Sequence, residues 1–252
     1  MNFFVISMSS IALSTVLGMA IGLCLKKISH RTTDVVLSLS AGMMLAAAAF
    51  GLLQPAVGLH SEHPFAIALA VLGVFTGALT INLVDRFTPH LHRLVGVEPE
   101  THRNNPALGK VLLFVAAIAI HKFPEGMAAG ISFSSGSFSD AITVITSISL
   151  QNIPEAMVTV SPLLAVGVSV RRTLAISIGI GAVSVAGAAL GAAVASITAL
   201  LMPFLLAFAG GAMIYVVSDE IIPETHSHGF EKASSFALLA GFVAILIFST
   251  LI

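Results

Sequence analysis

Long apolar stretches separated by short polar ones dominate the pattern of this chain. Apolar residues run with few interruptions over about 3–25, 34–56, 65–85, 108–131, 139–168, 173–198, 201–225 and 234–252. A helix needs about 20 such residues to cross the hydrocarbon core of a bilayer. Each stretch meets or approaches that length without the strict alternation of a half-buried strand, so each predicts a helix. The expected fold is therefore an all-α integral membrane protein of eight transmembrane helices, a single domain over 1–252. The fifth stretch is longer than one crossing requires, and Pro154 and Pro162 offer places where it would tilt or break.

Composition sharpens this picture. Hydrophobic residues make up 57% of the 252 positions and charged residues 9%, against about 25% charged in an average soluble domain. With a mean hydropathy of +1.03, too few polar side chains remain to cover a water-facing surface, and lipid must be the solvent for much of the molecule. The lipid bilayer is thus the first partner implied, with a multi-pass place in the inner (plasma) membrane. A net charge of −1 with scattered bases leaves no cationic face for nucleic acid. The single cysteine, Cys24, sits in an apolar run, which removes disulfide frameworks and thiolate clusters. The first stretch is too long for a signal-peptide core and is followed by lysines rather than a cleavage site, so it reads as the first span.

Charge also predicts orientation. Ten of the eleven lysines and arginines fall in alternate loops: Lys26, Lys27 and Arg31; Arg86, Arg93, Arg103 and Lys110; Arg171 and Arg172; and Lys232. Positive residues mark cytoplasmic loops, so both termini are expected outside. The eleventh base, Lys122, lies inside the fourth span. The longest polar segment, 86–110, carries His90, His92 and His102 and reads either as a solvated loop or as a collector of metal on the cytoplasmic side.

Ionisable groups inside a span cost roughly 2.5 to 3.5 kcal/mol each on insertion scales, so each one marks a candidate site. Two neighbouring spans carry them in one arrangement. The fourth reads His121-Lys122-Phe123-Pro124-Glu125-Gly126 and the fifth Gln151-Asn152-Ile153-Pro154-Glu155-Ala156. Residues four apart share a helix face, which places His121 a turn from Glu125 and Gln151 a turn from Glu155. Each proline withholds an N–H and frees a carbonyl one turn back. Counting from the intervening turn, the two motifs overlap near mid-membrane, between helices four and five. An imidazole, two carboxylates and an amide oxygen suit zinc, iron(II), manganese or cobalt better than calcium or magnesium, which prefer oxygen alone.

These motifs resemble those of the Zrt/Irt-like (ZIP) divalent metal transporters, and within them the bacterial GufA-like branch. Ser40-Ala41-Gly42-Met43-Met44-Leu45-Ala46-Ala47 and Asp219-Glu220-Ile221-Ile222-Pro223-Glu224-Thr225-His226 extend the likeness into spans two and seven. The resemblance implies that His121, Glu125, Gln151 and Glu155 bind the transported ion, with Met44 as a thioether neighbour. It implies transport of divalent transition-metal ions toward the cytoplasm, zinc first and iron, manganese, cobalt or cadmium after it, by alternating access. Spans one, four, five and six would move as a block against two, three, seven and eight. No cofactor beyond the transported metal is implied, and a homodimer is compatible with the pattern.

Many relatives hold two ions. The resemblance implies that Lys122, Ser184 and Asn152 stand at the positions of the second site, where an anion is lost and a cation gained, so a single-ion site is expected here. In span seven Glu220 and Glu224 lie a turn apart around Pro223, with Asp219 and His226 beside them, and read as a release path. Gly187-x-x-x-Gly191 gives span six a small face on which helices approach closely. Two rival readings remain open: a sodium/calcium-type exchanger, against which imidazole argues, and a membrane metal sensor without transport. An intramembrane metalloprotease would need a His-Glu-x-x-His helix, a string the chain lacks.

Overall fold

The structure is a computed structural model, and it describes residues 2–25, 28–59, 65–94, 106–134, 137–197 and 199–252. Eight long helices account for almost all of them: α1 (Asn2–Leu25), α2 (His30–Gly58), α3 (Ala66–Leu94), α4 (Pro106–Ser134), α5 (Phe138–Ala165), α6 (Val170–Ala195), α7 (Met202–Thr225) and α8 (Glu231–Leu251). Each falls on one of the apolar stretches. α3 runs to Leu94, beyond the apolar boundary near 85, because a change from apolar to polar residues alters the solvent a helix meets rather than its backbone bonding. Side-chain caps set two starts: the Ser29 hydroxyl accepts from the Thr32 N–H at 3.1 Å and Ser137 from Asp140 at 3.3 Å.

Six helices (α1, α2, α3, α6, α7 and α8) contain segments long and apolar enough to cross a membrane, among the described residues. The other two, α4 and α5, are 29 and 28 residues long and carry the buried Lys122, Glu125 and Glu155. The outward faces of the bundle present large apolar side chains such as Leu13, Phe75, Ile178, Phe236 and Ile247. A surface of that kind is stable only against lipid, and the molecule is a multi-pass helical membrane protein.

Of the two outcomes expected for the fifth stretch, tilting or breaking, the structure excludes a break. α5 is continuous through Pro154 and Pro162. The backbone instead changes register ahead of Pro55 and Pro223, where π-helical turns occupy Ala47–Leu53 in α2 and Val217–Ile221 in α7. There the Gln54 N–H reaches the Ala49 carbonyl and the Ile222 N–H reaches Val217, five residues back. An inserted residue of this kind lets the helix absorb a proline's missing donor without ending.

The helices associate as four close pairs: α1 with α5, α4 with α6, α2 with α8 and α3 with α7. Glycine makes each approach possible. A methyl group added at Gly18 would overlap the Ile153 carbonyl, at Gly126 the Ser184 carbonyl, at Gly42 the Leu238 carbonyl and at Gly77 the Phe208 carbonyl. Membrane helices gain little from hydrophobicity against lipid, so such backbone-to-backbone packing supplies the attraction. The largest apolar core forms where α2, α4, α5 and α7 meet, with Met44, Leu52, Ile131, Ile148, Leu206 and Met213 buried in it.

Candidate metal centre

Helical spacing aims the polar residues of α4 and α5 at each other. His121, Lys122, Glu125, Gln151, Asn152 and Glu155 are all buried, Gln151 completely. The Lys122 ammonium has three hydrogens and three acceptors. It donates to Glu125 Oε2 at 2.6 Å, to Asn152 Oδ1 at 2.6 Å and to Glu155 Oε2. One cation thus gathers both carboxylates of the repeated Pro-Glu motif, and charge-assisted bonds of this type are the strong class. The Asn152 amide is oriented from behind by α1, since its Nδ2 faces the Ile11 carbonyl at 3.5 Å.

The remaining groups are less tied. Gln151 has neither amide atom bonded, and Glu155 Oε1 also lacks a partner. A buried polar group left unpaired costs about 1–3 kcal/mol, so these atoms mark a place built to receive something polar. His121 instead reaches α7: its Nε2 lies 2.7 Å from Glu220 Oε1. With the carboxylates drawn onto Lys122 and the imidazole onto Glu220, no three His, Cys, Asp or Glu side chains among the described residues converge on one point. Of the four expected ligands, Glu125 and Glu155 are thus joined through Lys122, His121 is joined to Glu220, and the Gln151 side chain is bonded to none of them.

Met44 is buried in α2 within the central apolar core. Ser184 is buried in α6, its hydroxyl unpartnered and its carbonyl against Gly126. In α7 Asp219 accepts from the Tyr215 hydroxyl at 3.1 Å, and that hydroxyl accepts from Asn82 of α3 at 2.6 Å. Asp219 and Glu224 are exposed, which opens this end of α7 to solvent. His226 has partners on both ring nitrogens, Ile222 O at 2.8 Å and Ser235 Oγ at 3.1 Å. Of the histidine-bearing segment 86–110, residues 95–105 lie outside those described.

Sequence reasoning passed over Tyr215, Asn82 and the Ile11 carbonyl. Tyr215 is the only tyrosine in the chain, one turn before Asp219, and a hydroxyl in a span seeks a partner. That was the available signal. Nothing local points to Ile11, whose role comes from a carbonyl that Ser14, Thr15 and Asn152 all approach.

A polytopic helical bundle with a buried mixed-donor cluster between two proline-containing helices is the architecture of an ion-handling membrane protein. Comparison with known proteins makes the class specific. The family model described as ZIP zinc transporter matches residues 97–249. The chain is 38% identical to the zinc transporter ZIPB of Bordetella bronchiseptica over 242 residues, 94% of this chain and 77% of that protein. It is 35% identical to the zinc transporter GufA of Myxococcus xanthus over 238 residues, 93% and 92% of the two chains. A zinc transporter ZupT of Chlorobium luteolum is 28% identical over 251 residues, 95% and 94%. The chain belongs to the ZIP family and is a GufA-like member of it.

Proposed function

We propose that this member of the family moves zinc across the membrane, one ion at a time, through a site made by His121, Glu125, Gln151 and Glu155, with Met44 beside it. Transport of divalent metal ions is the activity of the family. The single observation that carries the finer reading is the convergence of Glu125 and Glu155 on one buried cation, the Lys122 ammonium. Two carboxylates held together in the buried interior of a membrane bundle are selective for a cation. Lys122 supplies one positive charge, and the free amide of Gln151 and the free oxygen of Glu155 are left for a dication, which would draw the imidazole of His121 from Glu220. Nitrogen in that set favours zinc over calcium.

Lys122, with Asn152 bonded to it and the uncharged Ser184 in α6, occupies the place where two-ion relatives would hold a second metal. A dication leaving His121 meets Glu220 next, then Asp219, Glu224 and His226 toward the cytoplasm. This direction follows from eight spans with both termini outside in the inner membrane.

The pairing of helices supports alternating access by two blocks. Among the described residues, every glycine that brings a neighbouring backbone into near contact joins α1 to α5, α4 to α6, α2 to α8 or α3 to α7. Those pairs fall within the sets α1, α4, α5, α6 and α2, α3, α7, α8. Between the sets the contacts are made by side chains, such as Val144 against Gly51 and His121 against Glu220, which can be exchanged as the blocks slide.

Uptake into proteoliposomes tests the proposal. Zinc entry well above that of calcium, lost in His121→Ala and Glu155→Ala, is expected. Calcium entry equal to zinc would favour an exchanger, and zinc binding without flux a sensor.

A further inference from the structure

Two imidazoles and a buried carboxylate meet where α2 begins and the α7–α8 connection folds back. Asp34, in the second turn of α2, is 1% exposed. Its Oδ1 accepts from the ring of His228 at 3.1 Å, through Nδ1, and its Oδ2 has no partner. The Ser227 hydroxyl also lies 3.3 Å from that nitrogen. His30, in the first turn of α2, stacks on the His228 ring with centroids 4.7 Å apart and planes 25° from parallel. Gly229, at φ +86°, makes the turn that holds His228 over the helix start.

A carboxylate bonded behind an imidazole is an arrangement that metal-ligating histidines share. An ionised carboxylate can only accept, so the Asp34 bond places the proton of His228 on Nδ1 and leaves the Nε2 lone pair free. Protein metal sites use such a carboxylate behind the imidazole to fix its tautomer and raise its basicity. A buried carboxylate whose second oxygen is unpaired is costly, and a dication near the ring offsets that charge. The second imidazole is within reach, since His30 is exposed and its ring is free to turn from the stack.

We propose that His30 and His228 form a peripheral site for a borderline divalent ion such as zinc or cobalt, with Asp34 orienting His228. It is separate from the mid-membrane cluster and stands whether or not that cluster carries transported metal. Two imidazole ligands with water completing the shell give a site weaker than a closed four-ligand one, suited to ions in exchange with solvent.

The test uses the full chain in detergent, stripped of metal and titrated with cobalt(II), with ions per chain counted by elemental analysis and ligation followed by visible absorption. The background is the double variant His121→Ala, Glu155→Ala, which removes the mid-membrane ligands. One cobalt per chain is expected on that background, lost on adding His30→Ala or His228→Ala. Adding Asp34→Asn should weaken binding by about 10- to 100-fold while keeping both imidazoles. His30 is exposed, so its variant keeps the fold even if the buried Asp34 variant does not. No cobalt on the background, or equal binding with and without His30 and His228, would overturn the proposal. The difference between wild type and background reports separately on the mid-membrane ion, so failure of either site is recognised on its own.

Discussion

α4 and α5 carry the same Pro-Glu motif, yet the first ligand is bonded in one helix and unbonded in the other. In α4, His121 is bonded to Glu220 and Glu125 to Lys122. In α5, Gln151 has no partner at all and Glu155 keeps one oxygen free. The next position differs as well: the residue after the first ligand is Lys122 in one helix and Asn152 in the other, and the first donates to the second. The scaffold around them is more symmetric than the chemistry. Exchanging α1 with α6, α2 with α7, α3 with α8 and α4 with α5 carries the close pairs onto one another, α1–α5 onto α6–α4 and α2–α8 onto α7–α3. The π-helical turns before Pro55 in α2 and Pro223 in α7 obey the same exchange. A near-symmetric frame thus places two equivalent motifs face to face, and one lysine makes them unequal.

The largest effect should come from removing the cargo's ligands. His121→Ala and Glu155→Ala are each expected to reduce zinc uptake to the liposome background while the protein still inserts and purifies as a single species, because ligands and not packing are lost. If one variant transported normally, its helix would be outside the site and the comparison of the two motifs would fail.

Next is the residue that breaks the symmetry. Lys122→Met leaves Glu125 and Glu155 facing each other in a buried place, and removing one partner of a buried ion pair costs about 3–5 kcal/mol. Thermal unfolding in detergent without metal should show that loss, and excess zinc should restore part of it. Lys122→Asn together with Ser184→Glu should raise the metal content of the purified protein from one ion per chain to two. An unchanged count would mean that Lys122 does not stand in for an ion.

The fold was legible in the sequence at the level of its elements, because lipid imposes length and apolarity on every spanning helix. The motif was legible for a related reason: His121, Lys122, Glu125, Gln151 and Glu155 are costly in a span, so their presence is informative. Partner choice was not. Which helices pair depends on whether a glycine stripe on one meets a flat backbone on another, and the chain has 21 glycines. The response to proline was also hidden: Pro154 sits in an unbroken helix while Pro55 and Pro223 follow π turns, a difference decided by tertiary packing. Contacts such as Asn82 to Tyr215, 133 residues apart, follow only once α3 and α7 are known to be neighbours.

A smaller effect tests the frame that holds the motifs. Gly126 follows Glu125 directly, and its position against the Ser184 carbonyl sets the distance between α4 and α6. Gly126→Ala should separate that pair and destabilise the protein by about 1–3 kcal/mol, the usual cost of overpacking. Gly58, with nothing near its missing side chain, is the control, and Gly58→Ala should leave stability nearly unchanged. Equal effects at both positions would show that close approach is not what the glycine of α4 provides.

The smallest effect has the most informative sign. Gln151 is completely buried with both amide atoms unbonded, so in the metal-free protein it is a liability of about 1–3 kcal/mol. Gln151→Met keeps the length and removes the unpaired polar atoms, and the metal-free variant should unfold at a higher temperature than the native chain, by an amount corresponding to about 1 kcal/mol. A ligand that binds only the folded state adds stability in proportion to its affinity. Zinc should therefore stabilise the variant less than it stabilises the native protein, and the order of the two unfolding temperatures should reverse as zinc is added. That crossing separates a residue retained for its cargo from one retained for packing. Were Gln151→Met less stable without metal, the amide would be bonded within the bundle, and α5 would be as satisfied as α4.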